Sequence, residues 1–273
     1  MNQISNKVFC KKFLSAGNSC CWSRIVRFFA DKKKFFKEAR ISELEEGYGI
    51  NLDNHELKTP TGSVLCIPNE NLAQAVTLEW NIQKHTIKTE RMPLTALCYA
   101  ACLSHSKEPT VSSILSYLTT DTVLCHSTEP EELVQLQDVK WGPAVEWFKA
   151  RYSVDVSHSN GFIMPDVDRQ TKLKMNNYLL THDAWCLIGL ESMVGLLKSV
   201  ILSLAVVNYH LTVEDAVSLS RLEQEYQVAK WGNVEWYHDV EKHEMQMKTA
   251  ACALFFQMCA EQTTSISYTS QNC

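Results

Sequence analysis

The sequence predicts an α+β fold: a small N-terminal α+β domain with antiparallel strands, followed by an all-α helical bundle. Residues 39–68 carry short alternating runs punctuated by Asp53-Asn54 and Thr61-Gly62, the pattern of a strand meander. From Glu129 onward, apolar residues recur almost throughout at helical spacing. With 273 residues, 45% of them apolar and 21% charged, the chain has material for one large core or two small ones. The expected divisions are 1–30, a leader; 31–127, the α+β domain; 128–264, the bundle; and 265–273, a tail.

The leader holds Lys7, Lys11, Lys12, Arg24 and Arg27 and no acid before Asp31, with Phe9, Phe13, Leu14, Ile25 and Phe28 between the cations. A basic, serine-containing, potentially amphipathic start reads as a mitochondrial transit peptide removed near residues 27–30, so the mature protein is expected in the matrix. The remaining chain is then more acidic than the net charge of −5. Its one dense basic run, Lys32 to Lys34, reads as a linker, and no nucleic-acid partner is expected.

After the meander, Asn69 supplies an N-cap for a helix in which Leu72, Val76, Glu79 or Trp80, and Gln83 follow helical spacing. Pro93 precedes a second apolar helix to Leu103, a short helix covers residues 111–118, and residues 121–127 read as a strand. The helical half is expected to break at Gly142-Pro143, in residues 157–165, near His182-Asp183, at 210–212 and at Gly232-Asn233. Residues 184–210 are the most apolar stretch, but Glu191 and Lys198 interrupt it, so it reads as a core helix and not a membrane span. Thr212 with Asp215 resembles a capping box and Gly232 a stop, which predicts one helix over 213–231.

Chemistry is sparse. No G-x-S-x-G, G-x-x-x-x-G-K-[ST] or G-x-G-x-x-G occurs, and the cysteines outside the leader form no C-x-x-C pair, so they read as free thiols packed as small hydrophobes. His238, Glu241 and His243 make the one candidate for a metal-dependent hydrolase. Five residues separate the two histidines by about 140° on a helix, however, so the spacing that brings two imidazoles over one zinc is missing. No catalytic residue, metal site or cofactor is therefore expected. On the wheel of residues 213–231, Leu219, Leu222, Tyr226 and Ala229 fall on one apolar face, with Val217, Val228 and Trp231 on another. Glu223, Gln227 and Lys230 form a polar ridge between them. Such a carboxylate caps an internal network or faces a partner's cation, while Arg221 to Glu225 is at most a weak i,i+4 pair.

Several stretches in order, "LDNHELKTPTGSVLCIPNENLAQAVTLEW", "MPLTAL", "TDTVLCHSTEPEELVQLQ", "WGPAVEWF" and "SRLEQEYQVAKWGNVEW", resemble the mitochondrial ATP synthase F1 complex assembly factor 2 family. The resemblance covers residues 48–264. It implies a monomeric matrix chaperone, not an enzyme, that binds the unassembled F1-ATPase alpha subunit before it meets beta, with an orthogonal C-terminal bundle and no stable membrane insertion. It also implies that Glu223 is functionally sensitive and that Trp80, Trp231 and Trp236 are structural, with Gln227 and Lys230 beside Glu223 as contact residues. This chain has Cys125-His126 where the family pattern is Tyr-Arg, and an imidazole is mostly neutral where a guanidinium would be charged.

Overall fold

The computed structural model describes residues 32–104, 106–161, 164–232 and 237–269. The transit-peptide segment and Trp236 lie outside the described residues.

The first layer is built on hydrophobic alternation. Strands β2 (Ala39–Leu44), β3 (Gly47–Leu52) and β4 (His55–Glu56) form an antiparallel sheet, with the Asp53-Asn54 turn between the last two. Residues 57–67 continue the meander, joined by isolated bridges Tyr48 to Ile67 and Lys58 to Val64. A glycine is required at the start of β3: Gly47 has φ +148° and a Cβ there would lie 2.6 Å from the Ile67 carbonyl oxygen. The inner face offers Ile50, Leu52, Leu65 and Ile67 to helix α1 (Glu70–Asn81), which answers with Leu72, Val76 and Trp80. The Asn69 side chain accepts from the Leu72 N–H, as the cap required. The basic link is itself strand β1 (Lys32–Lys33), paired with β5 (Thr86–Ile87).

Helix α2 (Pro93–Leu103) starts on its proline, where a missing N–H costs nothing. The buried Glu79 carboxylate accepts from the Leu94 and Thr95 N–H groups and the Thr95 hydroxyl, taking the place of a local cap. Helix α3 (Lys107–Leu118) leads to a tight turn, Thr122–Leu124, and only two residues of strand, β6 (Cys125–His126). The longer strand expected over 121–127 is shortened because the buried Asp121 draws the Val123 N–H into the turn. Strand β6 pairs in parallel with β7 (Ser159–Asn160).

Helix α4 (Glu131–Tyr152) runs unbroken through Gly142-Pro143, against the expected interruption. The carbonyl that Pro143 cannot satisfy belongs to Val139, which is 70% exposed, so water can serve it. Helix α5 (Arg169–Leu180) follows. The apolar stretch 184–210 is two helices, not one: α6 (Ala184–Leu197) and α7 (Val200–Val207), hinged at Lys198 with φ +54°. Ser199 caps α7, whose eight residues are all buried, and the Asp121 carboxylate receives the Val200 and Ile201 N–H groups. Among the described residues no helix is long and apolar enough to cross a membrane.

Residues 213–231 likewise form two helices, α8 (Val213–Ser220) and α9 (Leu222–Trp231), with Arg221 at φ −105°, ψ 11° between them. Thr212 caps α8 through the Asp215 N–H, and α9 stops at Gly232, φ +89°. The last helix, α10 (Tyr237–Thr269), packs on α6 and returns to α1 and α2. Its approach to α6 is close at Gly189, where a Cβ would lie 2.9 Å from a ring carbon of the fully buried Phe255. One contiguous core therefore runs from Phe36 in the first layer to Cys259 in the last helix.

Candidate functional site

The kink at Arg221 organises the surface that the sequence singled out. Leu219 cannot pass its carbonyl down a continuous helix, and the indole N–H of the fully buried Trp141 in α4 donates to it at 2.9 Å. Arg221, only 6% exposed, sends its guanidinium across to α10, where Nη1 lies 3.0 Å from Glu241 Oε2. Its Nε is 3.7 Å from Glu225, the expected i,i+4 partner, so the stronger contact is the one 20 residues away in sequence. Lys242 reaches Glu225 at 3.4 Å and the Gln224 amide donates to Glu241, which closes a charged network between α9 and α10.

Along the other edge of α9 runs a seam with α4. Glu223 Oε1 accepts from the Gln137 amide at 2.7 Å and from the Ser127 hydroxyl at 3.2 Å. Gln137 is fully buried and its own Oε1 accepts the Ser127 N–H. Glu223 is thus a partly buried member of an internal network, the first of the two roles the wheel left open. One turn on, Tyr226 Oη donates to Glu132 and Lys230 Nζ pairs with the same carboxylate at 2.9 Å, while the ammonium sits 5.0 Å from the Tyr226 ring. Lys230 and Tyr226 hold the exposed Glu132 carboxyl below its ordinary range, and Tyr226 and Glu132 raise the Lys230 ammonium. Gln227 is exposed between the two contacts.

The two-faced apolar wheel does not survive. No residue of α9 is fully buried; Leu222 packs partly on the core, and Trp231, expected to be structural, is 77% exposed. The kink rotates α9 relative to α8, so Val217 enters the core while Trp231 leaves it. Trp80, by contrast, is buried against Phe36 with ring centroids 5.7 Å apart, and its indole nitrogen meets no acceptor among the described residues. Further large apolar side chains lie outside along α10: Val240, Met247 and Leu254, seven residues apart and so close to one face.

The metal candidate on α10 is not assembled. His243 Nδ1 lies 2.7 Å from the Asp239 carbonyl of its own helix, Glu241 is taken by Arg221, and the His238 side chain lies outside the described residues. The thiols are equally unsuited to attack: burial pushes Cys186 up to about 12 and Cys102 and Cys125 up to about 11. His182 and Asp183 serve helix ends, the imidazole at the Tyr178 carbonyl and the carboxylate at the Trp185 N–H.

The fold is thus an α+β layer and a bundle sharing one core, with a kinked helix that holds charged and aromatic groups outward. Residues 33–149 match the family described as ATP12 chaperone protein. The chain is 29% identical over 236 residues to Protein atp12, mitochondrial, of Schizosaccharomyces pombe, covering 81% of each. It is 27% identical over 281 residues to Protein ATP12, mitochondrial, of Saccharomyces cerevisiae, covering 85% of this chain and 86% of that one. The crystal structure of Atp12 from Paracoccus denitrificans superposes with a TM-score of 0.75 at 26% identity, over 83% of this chain and 98% of that one. A protein from Agrobacterium tumefaciens superposes with a TM-score of 0.78 at 24% identity, over 90% and 92%, and supports the fold alone. Over most of its length the chain is similar to proteins of the ATP12 chaperone family.

The sequence reading gave Arg221 only a weak i,i+4 pair with Glu225 and missed its burial, which is set by residues far from it. The signal was the single arginine between two apolar helix faces, a position that a solvated cation would not occupy.

Proposed function

We propose that the protein is a monomeric assembly chaperone of the mitochondrial matrix that binds the unassembled F1-ATPase alpha subunit, prevents its aggregation and promotes formation of the alpha/beta hexamer of ATP synthase. The observation that carries this reading is the surface of α9: Glu223, Gln227, Lys230 and Trp231 succeed one another on one side of a helix whose direction is fixed by ion pairs and by the Trp141 contact. A lone subunit exposes the apolar surface meant for its neighbours and aggregates unless that surface is covered reversibly. A preorganised ridge with an exposed tryptophan at its end supplies apolar contact and a fixed charge pattern at little ordering cost. The relatives' names, all of chaperone or ATP12 type, support a binding role over catalysis.

Capture of the alpha subunit from mitochondrial extract, with identification of the bound chain and a light-scattering assay of alpha aggregation, tests the proposal. Trp231→Ala is expected to weaken capture about tenfold or more with no change in thermal midpoint, because the side chain is almost wholly outside. Glu223→Lys is expected to abolish capture, and Glu223→Gln to retain more of it. Selective capture of beta, or full capture by both Trp231→Ala and Glu223→Lys, would overturn the assignment.

A further inference from the structure

A second cluster lies one residue away from the Glu223 network, and it has the composition of a metal centre. His126 on β6, His158 just before β7 and Asp138 on α4 bring one ligand atom each to within 4.8 Å of one another. The parallel pairing of β6 with β7 places the two imidazoles face to face, 4.5 Å between centroids and 15° between planes. The Gly161 N–H donates to the His126 carbonyl at 2.9 Å and locks this register. From α4, Asp138 Oδ1 approaches His126 Nδ1 at 3.1 Å. Beneath them the His126 ring packs on buried Trp141, 5.3 Å away, so the cluster has an apolar floor and opens to solvent on the side of His158 and Asp138.

We infer that His126, His158 and Asp138 form a binding site for a divalent transition-metal ion of the zinc class, with three protein ligands and a fourth position open to water. Two imidazoles and a carboxylate are a donor set that zinc accepts, at ligand distances of about 2.0–2.2 Å, which spaces the donor atoms roughly 3.3 Å apart in a tetrahedron. Rotamer adjustment of the two exposed members closes the remaining gap, while His126 stays fixed by its floor. Because Ser127 follows His126 and Gln137 precedes Asp138, a bound ion ties together the two segments that hold Glu223.

The full-length chain, stripped with chelator and dialysed, is titrated with Zn²⁺ alone by calorimetry, and retained metal is counted by elemental analysis. One equivalent is expected to bind and to raise the thermal midpoint. His158→Gln and Asp138→Asn, both at exposed positions and so compatible with folding, are each expected to weaken binding by at least about tenfold. His55→Gln, on the exposed strand β4, is expected to change nothing. Absence of stoichiometric binding, or binding that His158→Gln and Asp138→Asn leave intact, would overturn the site, the latter by assigning the metal to thiols elsewhere.

Discussion

Arg221 holds its guanidinium almost out of water while its partners Glu225 and Glu241 remain about half in it. The two sides of this pair are therefore unequal. Removing the carboxylate leaves a desolvated cation with its main partner gone, whereas removing the arginine leaves carboxylates that water and Lys242 can serve. Glu241→Ala is expected to cost about 2 kcal/mol or more in urea unfolding, and Arg221→Met, which keeps the buried volume, about 1 kcal/mol or less. Equal costs would place the stabilisation in the pair rather than in desolvation. The sequence exposed only the local half of this arrangement. The capping box of Thr212 and Asp215 was legible because both ends lie within one turn, but Arg221 depends on Trp141 and Glu241, which no local pattern connects to it. The same limit hid His126, Asp138 and His158, which become neighbours only when β6 and β7 pair.

At the scale of elements, breaks proved harder to read than periodicity. The helical spacing of α1, its Asn69 cap and the meander turns are short-range and were readable. Pro143 was misread as a break because the cost of proline depends on whether water can reach the orphaned carbonyl, and here that carbonyl belongs to the exposed Val139. The hinges at Lys198 and Arg221 arise the other way: chain that looked uniformly helical is interrupted because Asp121 and Trp141 offer better partners to its backbone. A tight seam between elements is α6 against α10 at Gly189. Gly189→Ala pushes a methyl into a ring that has no free volume to enter, so in spite of the better helix propensity of alanine a net loss of about 1–3 kcal/mol is expected by denaturant unfolding. A gain in stability would mean that the two helices slide apart freely.

For the molecule as a whole, two buried carboxyls make stability fall as pH rises through their range. Burial pushes Glu79 up to about 7 despite three donors that pull it down, and Asp121 up to about 6. Both native values exceed the ordinary carboxylate range, so each of these two groups holds its proton in the folded chain at pH values where the unfolded chain has released it. Their contribution is fully present below the unfolded values and is lost as pH rises through 6 and 7. His126 and His182 act in the opposite direction, since burial lowers both. Comparison with Glu79→Gln isolates the carboxyl: from pH 5 to pH 8 the wild-type urea midpoint is expected to fall relative to that of the variant, and parallel curves would show that Glu79 is ionised throughout.

Asn69 joins the two ends of the fold. Its oxygen caps the first helix, and its amide donates to the Met258 carbonyl in the last, 189 residues later. Cys252, Phe255 and Cys259 belong to the same core as Leu72 and Val76. During synthesis from the N-terminus, the opening layer must therefore wait with an unfinished greasy side until nearly the whole chain has emerged, because its lid is translated last. The chain thus passes through a stage in which its own first layer stands uncovered.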